Sequence, residues 1–354
     1  MSVKITLADA VPQIKHVLKC GLVPMIHGSP AIGKSDVVKQ IASQAKLKVI
    51  DVRLSTFDPT DMNGLPFLNR EGKRVVAEYT PFDTFPLKGD DLPTFKDSEG
   101  NEQQYNGWII FMDELPSAAP AVQAAAFKVI LDRQVGNHDL HEKAFLVAAG
   151  NTEDDGAIVN PLPTPLQSRM INFLVVPSLQ DWLKYAIPRG LDHRIQSFLN
   201  FKVDCFYKFD ANHDDLTFAA PRTWMFANKL IKGVSDLSSG YMAMLAGTIS
   251  EGVAREFLAF VKHFDKVPKM SDIIADPKNA KCPVNDPSLL WATCGALGAA
   301  ADEKNMDPIT IYIERMPMEF QVVALRQILI AKPDLGSCKA LDNWISRNQS
   351  ELWN

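Results

Sequence analysis

Short apolar runs alternate with stretches of helical periodicity through the first half of the chain. Five runs have the composition of strands buried in a sheet: residues 22–27, 48–54, 108–114, 143–151 and 171–177. Apolar positions recur at helical spacing between or before these runs, at residues 3–20, 36–42 and 117–131. Because strands and helices alternate, the pattern predicts an α/β fold with helices packed on a parallel sheet.

Three stretches interrupt this alternation. Residues 58–66 are rich in turn formers, and residues 67–79 have the pattern of a hairpin that turns at Glu71 and Gly72. The polar residues 83–106 predict a long loop. Beyond residue 177 the periodicity is helical, with the clearest segments at residues 241–264, 287–302 and 318–330.

One loop between a predicted strand and a predicted helix carries the first candidate chemistry. It reads Gly28-Ser29-Pro30-Ala31-Ile32-Gly33-Lys34-Ser35, which fits the phosphate-binding pattern G-x-x-x-x-G-K-[ST]. In this pattern the glycines expose backbone N–H groups to phosphate oxygens, the lysine places a charge at the outer phosphates, and the final hydroxyl is a ligand for Mg²⁺. The helix that follows adds its positive N-terminal end. The sequence therefore predicts a nucleotide site.

Polar residues at the ends of two later apolar strands extend this site. Asp113 and Glu114 end the run at 108–114, and Asn151 ends the run at 143–151. At the end of a central strand, Asp113 can hold Mg²⁺ together with Ser35, while Glu114 orients or deprotonates the attacking water. The amide of Asn151 can point at the same water and the terminal phosphate. These residues predict hydrolysis as well as binding.

Composition narrows the class of protein. The 354 residues are 46% hydrophobic and 22% charged, with a formal net charge of −5, so extended electrostatic binding of nucleic acid is not expected. Five scattered cysteines favour a reducing compartment over a disulfide framework. No apolar run is long enough for a membrane span, and we expect a cytoplasmic protein. We interpret His138 and His141 as turn residues, because no third metal ligand is evident.

The order of these motifs resembles that of the AAA+ ATPases. Residues 28–35 correspond to Walker A, 109–114 to Walker B, and Asn151 to sensor 1. Within that superfamily the chain looks most like MoxR, because residues 61–64 and the hairpin after them match the helix-2 insert of that clade. Val122 and Gln123 add to the likeness, which covers roughly residues 5–235. The resemblance implies a three-layer P-loop NTPase core.

Two arginines take their expected roles from this resemblance. Arg169 matches the arginine finger, which reaches the nucleotide of a neighbouring subunit, although Met170 follows where an aromatic residue is usual. Arg222 resembles the sensor-2 arginine at the start of a lid helix. If Arg169 acts on a neighbour, the working unit is a homo-oligomeric ring, a hexamer in most members of the family.

The family likeness also implies the domain organisation. We expect an AAA+ α/β core over residues 1–177 with the hairpin insert near 67–79, an α-helical lid carrying sensor 2 over 178–235, and a helical C-terminal extension over 236–354. Similar extensions occur in some bacterial and phage members, so a phage-encoded protein acting in a bacterial cytoplasm fits the likeness.

Three functions remain open at this point. The leading one is a Mg²⁺-dependent ATPase that remodels a protein partner, for which the family suggests a protein with a von Willebrand factor A domain. The second is a nucleic-acid motor or loader that grips DNA through Arg70, Lys73 and Arg74 of the hairpin. The third is a scaffold: binding of the nucleotide would control its assembly, and hydrolysis would do no useful work. A GTPase is less favoured, since no N-K-x-D guanine motif occurs.

Overall fold

Two compact units make up the chain. The computed structural model describes residues 3–71, 74–152, 155, 160–212, 215–234, 236–237, 239–262 and 266–352. The first unit comprises Met1–Ser178 with Asp210–Asn212, and the second comprises Leu179–Phe209 with His213–Asn354.

A six-stranded parallel sheet forms the centre of the first unit. Its strands lie in the order β1-β12-β2-β11-β8-β3. Their bounds are β1 Lys4–Thr6, β2 Val23–His27, β3 Lys48–Arg53, β8 Trp108–Asp113, β11 Ala144–Gly150 and β12 Met170–Val176. Because β2, β11 and β8 are parallel neighbours, the polar residues that follow them lie together at the carboxyl ends of the strands.

Helices cover both faces of this sheet. On one face, Met25 and Ile110 pack in one apolar cluster with Val122 and Val129 of α4 (Pro120–Asp132). Ile26 and Phe111 are also fully buried and, as neighbours along their strands, point to the opposite face. The helices α1 (Leu7–Lys19) and α2 (Lys34–Ala45) pack against the strands there. The three-layer α/β fold predicted from the sequence is confirmed.

Short elements lie where the sequence predicted loops or a longer helix. The helix predicted from residue 3 begins only at Leu7, because residues 4–6 pair with β12 as β1. The stretch 58–66 contains the helix α3, and the polar stretch 83–106 contains a small antiparallel pair. The remaining elements of this unit are α3 Pro59–Asn63, β4 Leu65–Glu71, β5 Arg74–Thr80, β6 Thr94–Lys96, β7 Glu102–Gln104, β9 Gln134–Val135, β10 His138–Asp139 and α5 Thr164–Gln167.

The predicted hairpin corresponds to β4 and β5, which pair in antiparallel register from Leu65 opposite Thr80 to Glu71 opposite Arg74. Gly72, at the predicted turn, lies outside the described residues. Several large apolar side chains of the pair are exposed: Leu65, Phe67, Leu68, Val75 and Tyr79.

In the described part of the second unit, the regular elements are helices. Two apolar clusters organise them, one centred on Trp224 and Phe198 and one on Tyr312 and Trp344. The predicted helix at 241–264 is two helices, separated at Ser250, where φ is +72°. The helices are α6 Leu179–Ala186, α7 His193–Phe201, α8 Pro221–Ile231, α9 Met242–Ile249, α10 Glu251–Val261, α11 Met270–Ala275, α12 Pro287–Ala300, α13 Met306–Ile313, α14 Met318–Ala331 and α15 Lys339–Leu352.

The division of this helical region into a lid and an extension stays a prediction. The cluster around Trp224 includes residues on both sides of position 235, such as Ile231 and Leu245. The Trp344 side chain is buried and donates a hydrogen bond from its Nε1 to Gln321 Oε1 at 2.9 Å, whereas Trp353 lies outside the described residues. Over the described ranges, no helix combines the length and apolar character needed to cross a bilayer.

Candidate nucleotide site

The phosphate loop joins the end of β2 to the first residue of α2. Its backbone is left-handed at Ala31 (φ 61°) and Gly33 (φ 107°). A Cβ at Gly28 would lie 2.7 Å from Val175 Cγ2 and 2.8 Å from the Val175 carbonyl oxygen. These positions explain why the loop needs glycine at both ends of the pattern: one for close packing on β12, the other for its backbone conformation.

Lys34 connects the loop to the end of a neighbouring strand. Its ammonium donates hydrogen bonds to the carbonyl oxygens of Gly28 (2.5 Å) and Ser29 (3.0 Å) and to Asn151 Oδ1 (2.9 Å). The Lys34 side chain is largely buried, being part of a residue that is only 9% exposed. The structure therefore brings Asn151 to the loop, as the parallel arrangement of β2 and β11 predicts.

Ser35 and Asp113 form the second contact of the site. The Ser35 hydroxyl donates to Asp113 Oδ2 at 3.1 Å, and the backbone N–H of Glu114 donates to Asp113 Oδ1 at 2.9 Å. Burial raises the pKa of Asp113 above its ordinary value, against the lowering effect of these two hydrogen bonds. A buried carboxylate beside a hydroxyl is the oxygen donor set that Mg²⁺ prefers.

Glu114 has a strained backbone and a defined side-chain position. Its φ of +59° is uncommon for a residue other than glycine. Its Oε2 accepts a hydrogen bond from the Ser55 hydroxyl, and its Oε1 lies 3.9 Å from Arg53 Nε. Arg53 and Ser55 were missed by the sequence reasoning. Arg53 ends β3, where it pairs with Asp113, and Ser55 lies in the turn that follows; no local sequence pattern indicates this pairing.

The residues at this edge fit a nucleotide bound with Mg²⁺. Among the described residues, no side chain caps the N-terminus of α2 at Gly33, so the helix end is available to an anion. Lys34 supplies the charge, and Ser35 with Asp113 would hold the metal. The main chain of the loop ahead of Gly33 comes from five residues: Gly28, Ser29, Pro30, Ala31 and Ile32.

Arg169 lies at the opposite end of the parallel strands from the phosphate loop. It directly precedes Met170, the first residue of β12, and Met170 pairs with Val23, the first residue of β2. The phosphate loop follows the last residue of β2. The Arg169 side chain is exposed, its Nη1 donates to the Pro165 carbonyl oxygen at 3.0 Å, and its guanidinium lies 5.5 Å from the centre of the Phe127 ring.

Arg222 belongs to the second unit. It occupies the first turn of α8, directly after Pro221, and is exposed. The backbone N–H of Ala220 donates to Thr223 Oγ1 at 2.8 Å and helps to fix the start of this helix. The placement at a helix start agrees with the sequence interpretation, and the sensor-2 role stays a prediction.

The remaining candidates have structural contacts. The His138 ring nitrogen Nε2 lies 3.0 Å from the Tyr79 carbonyl oxygen, and the His141 ring packs 4.9 Å from that of Trp108. In the portion of the chain that is described, no group of three or more His, Cys, Asp or Glu side chains is placed to hold a metal ion. Of the basic hairpin residues, Arg70 is exposed and Lys73 lies outside the described residues.

No protein-family model and no curated protein matches the chain. Among solved structures, the chain is similar to a point mutant of RuvB from Thermotoga maritima, with 15% identity over 73% of this chain and 71% of that one and a TM-score of 0.40. It is also similar to a candidate ATPase from Cytophaga hutchinsonii, with 13% identity over 90% and 83% of the two chains and a TM-score of 0.31. At such scores the function must be argued from this chain's own site.

Proposed function

We propose that the protein is a Mg²⁺-dependent AAA+ ATPase of the MoxR type. The observation that carries this proposal is the convergence on one loop of residues far apart in sequence. Lys34 contacts Asn151, 117 positions later, and Ser35 contacts Asp113, 78 positions later. A phosphate-binding loop joined to a buried carboxylate and a polar amide is suited to ATP hydrolysis rather than to binding alone.

Each residue has a distinct part in the proposed reaction. Lys34 and the N–H groups at the start of α2 hold the phosphates, and Ser35 with Asp113 holds the metal. Bound Mg²⁺ would neutralise charge on the phosphates. Glu114 orients the attacking water and accepts its proton, and Ser55 positions the Glu114 carboxylate.

The position of Arg169 supports a ring. Arg169 lies at the end of the strands opposite the phosphate loop. It is therefore available to the nucleotide of a neighbouring subunit rather than to that of its own subunit. In a head-to-tail assembly each subunit would supply Arg169 to the next, and the closed form would be a ring, for which we propose a hexamer. Arg222 would sense the nucleotide from the helical region.

Exposed apolar side chains on the hairpin support a protein partner over DNA. Phe67 and Leu68 are exposed on β4, and Val75 is exposed on β5. Apolar side chains favour contact with another protein, whereas grip on a phosphate backbone needs basic ones. We therefore favour remodelling of a protein, and the family likeness suggests a von Willebrand factor A domain in that partner.

Two variants with a matched control test the site. Lys34→Ala is expected to abolish ATP binding, and Glu114→Gln is expected to bind ATP but lose turnover. Lys39→Ala, which removes an exposed lysine from the same helix, should leave both unchanged. Binding is measured by titration with ATP and turnover by phosphate release. Normal hydrolysis by both site variants would refute the assignment.

The same Glu114→Gln variant tests the partner. Because it holds ATP without turnover, it should retain a client protein during purification. The proposed partner class predicts a retained protein with a von Willebrand factor A domain. Salt-sensitive stimulation of the wild-type ATPase by DNA would instead favour the nucleic-acid motor.

A further inference from the structure

A cavity of about 320 Å³ lies among the helices of the second unit. Its walls come from three places: the turn before α7 and its first residues, Lys232 directly after α8, and the C-terminal ends of α12 and α14. All of its lining residues belong to the second unit, so it shares no residue with the phosphate loop. Its volume is at the lower end of the range for small-molecule sites.

The charged groups of this cavity leave an excess of positive charge. Asp192 is the one carboxylate among the residues that line it. Arg194 neutralises that carboxylate through hydrogen bonds from Nε at 2.9 Å and Nη2 at 2.7 Å. Lys232 and Lys332 also line the cavity. Two ammonium groups therefore remain without a carboxylate of their own among the lining residues.

The two lysines differ in their contacts. The Lys332 ammonium donates to the Ala301 carbonyl oxygen directly after α12, which fixes its position. Among the described residues, the Lys232 ammonium has no hydrogen-bond or ion-pair partner; it lies beside Gly190, where an added Cβ would be only 2.8 Å from Nζ. One cation is thus held in place and the other is available at the rim.

An unpartnered buried amide also points to a ligand. Gln196 is only 6% exposed and lines the cavity. Within the described part of the chain, its side-chain amide makes no hydrogen bond, and the amide nitrogen and oxygen are not fully enclosed by protein atoms. The amide therefore faces the cavity. It can hydrogen-bond to water or to a ligand that enters the cavity.

A second buried amide, that of Gln327, lies behind two of the residues that line the cavity. Gln327 is 5% exposed, and both its Nε2 and its Oε1 lack partners among the described residues. It packs against Gly298 and lies one helical turn before Ala331, and both of these neighbours line the cavity. The Gln327 amide is fully enclosed and is not one of the lining residues, so the case for an anionic ligand rests on the two lysines and on Gln196.

We propose that this cavity binds a small phosphate-bearing molecule. Lys232 and Lys332 would contact the phosphate. The Gln196 amide would form a hydrogen bond with the rest of the ligand. Two positive charges match a phosphate dianion, and lysine binds phosphate as a flexible point charge.

The test uses the full chain with Lys34→Ala, so that the phosphate loop does not contribute. Ribose 5-phosphate and inorganic phosphate are titrated against this protein by calorimetry, with ribose and sulfate as matched probes. We expect both phosphate compounds to bind, ribose not to bind, and sulfate to bind more weakly. Absence of binding by both phosphate compounds would overturn the proposal, and equal binding of sulfate would overturn the preference for phosphate.

Two further substitutions place the binding in this cavity. Lys232→Ala and Gln196→Leu should each weaken binding of ribose 5-phosphate by about tenfold, the effect of one lost charge-assisted or buried hydrogen bond. Lys229→Ala, at an exposed lysine one turn earlier on α8, should have no effect.

Thermal unfolding separates a binding role from a structural one. Because the Gln196 amide has no partner among the described residues, Gln196→Leu should keep or raise the unfolding midpoint without ligand while losing the rise that ribose 5-phosphate causes. Unchanged affinity in both Lys232→Ala and Gln196→Leu would show that the phosphate binds elsewhere and would overturn the site.

Discussion

Replacing Arg169 by alanine tests whether the catalytic site is shared between subunits. Arg169 precedes the first residue of β12, which is level with Val23, whereas the loop begins after His27. The five residues of β2 span about 17 Å at roughly 3.3 Å per residue. An extended arginine side chain reaches about 7 Å by standard bond lengths, so Arg169 does not reach its own loop.

The size of the effect follows from the role of such an arginine. A trans arginine contributes about a thousandfold to a hundred-thousandfold in rate, or about 4 to 7 kcal/mol of barrier. We expect Arg169→Ala to bind ATP normally and to lower the turnover rate at least about a thousandfold. Arg70→Ala, at another exposed arginine of the same unit, should hydrolyse ATP like the wild type. Phosphate release at saturating ATP measures both.

Mixing two inactive variants gives the sharper result. Subunits with Lys34→Ala lack a working loop but carry Arg169, while subunits with Arg169→Ala carry the loop. With free subunit exchange and independent sites, an equal mixture should recover about a quarter of the wild-type rate, since about half of the subunits have a loop and about half of those have a donor neighbour. A mixture no more active than its components, or full activity of Arg169→Ala alone, would refute the shared site.

Three further predictions concern single residues. Glu114→Gln should lower turnover by at least about a hundredfold without weakening ATP binding, as measured by phosphate release and ATP titration. Burial raises the pKa of Asp113, so the protonated form of this side chain favours the folded state. That favourable contribution to the free energy of unfolding is present in full below the pKa of the unfolded chain and is lost as the pH rises through the pKa of the folded protein. Asp113→Asn should therefore raise the unfolding midpoint at neutral pH in Mg²⁺-free buffer, and an unchanged or lower midpoint would contradict this. Gly28→Ala should destabilise the fold by about 1 to 3 kcal/mol through contact with Val175, whereas Gly247→Ala, in open space within α9, should stabilise it slightly in denaturant unfolding.

The central sheet, and the grouping of the candidate site residues at one end of its strands, could be predicted because both follow from local sequence patterns. The strands β2 and β8 are apolar up to a polar last residue, His27 or Asp113, and β11 is apolar up to Gly150 and is followed by Asn151. In a parallel sheet such ends lie together, so the placement of Asp113 and Asn151 at the end that carries the phosphate loop could be predicted without the strand order. The contacts of Lys34 with Asn151 and of Ser35 with Asp113 also need β11 to lie between β2 and β8.

The missed features depend on long-range pairing or on single dihedral angles. Residues 4–6 become β1 only through pairing with β12, which the helical spacing of residues 3–20 does not show. The break at Ser250 rests on one positive φ. The contact of Ser55 with Glu114 needs β3 and β8 to be neighbours, and the sequence does not encode that order in any local pattern.

Backbone strain in the described residues supports the candidate site independently of its motif. Five non-glycine residues there have positive φ. Lys46 and Arg133 follow the ends of α2 and α4, where a left-handed residue is ordinary, and Ser250 separates two helices. The other two, Ala31 and Glu114, have no such helix-end explanation, and they lie in the phosphate loop and at the carboxylate proposed to activate water. Strained residues persist where the surrounding structure fixes them and tend to cluster at functional sites. A loop that was only a turn between a strand and a helix would not require strain at a second residue, on another strand, that borders the same site.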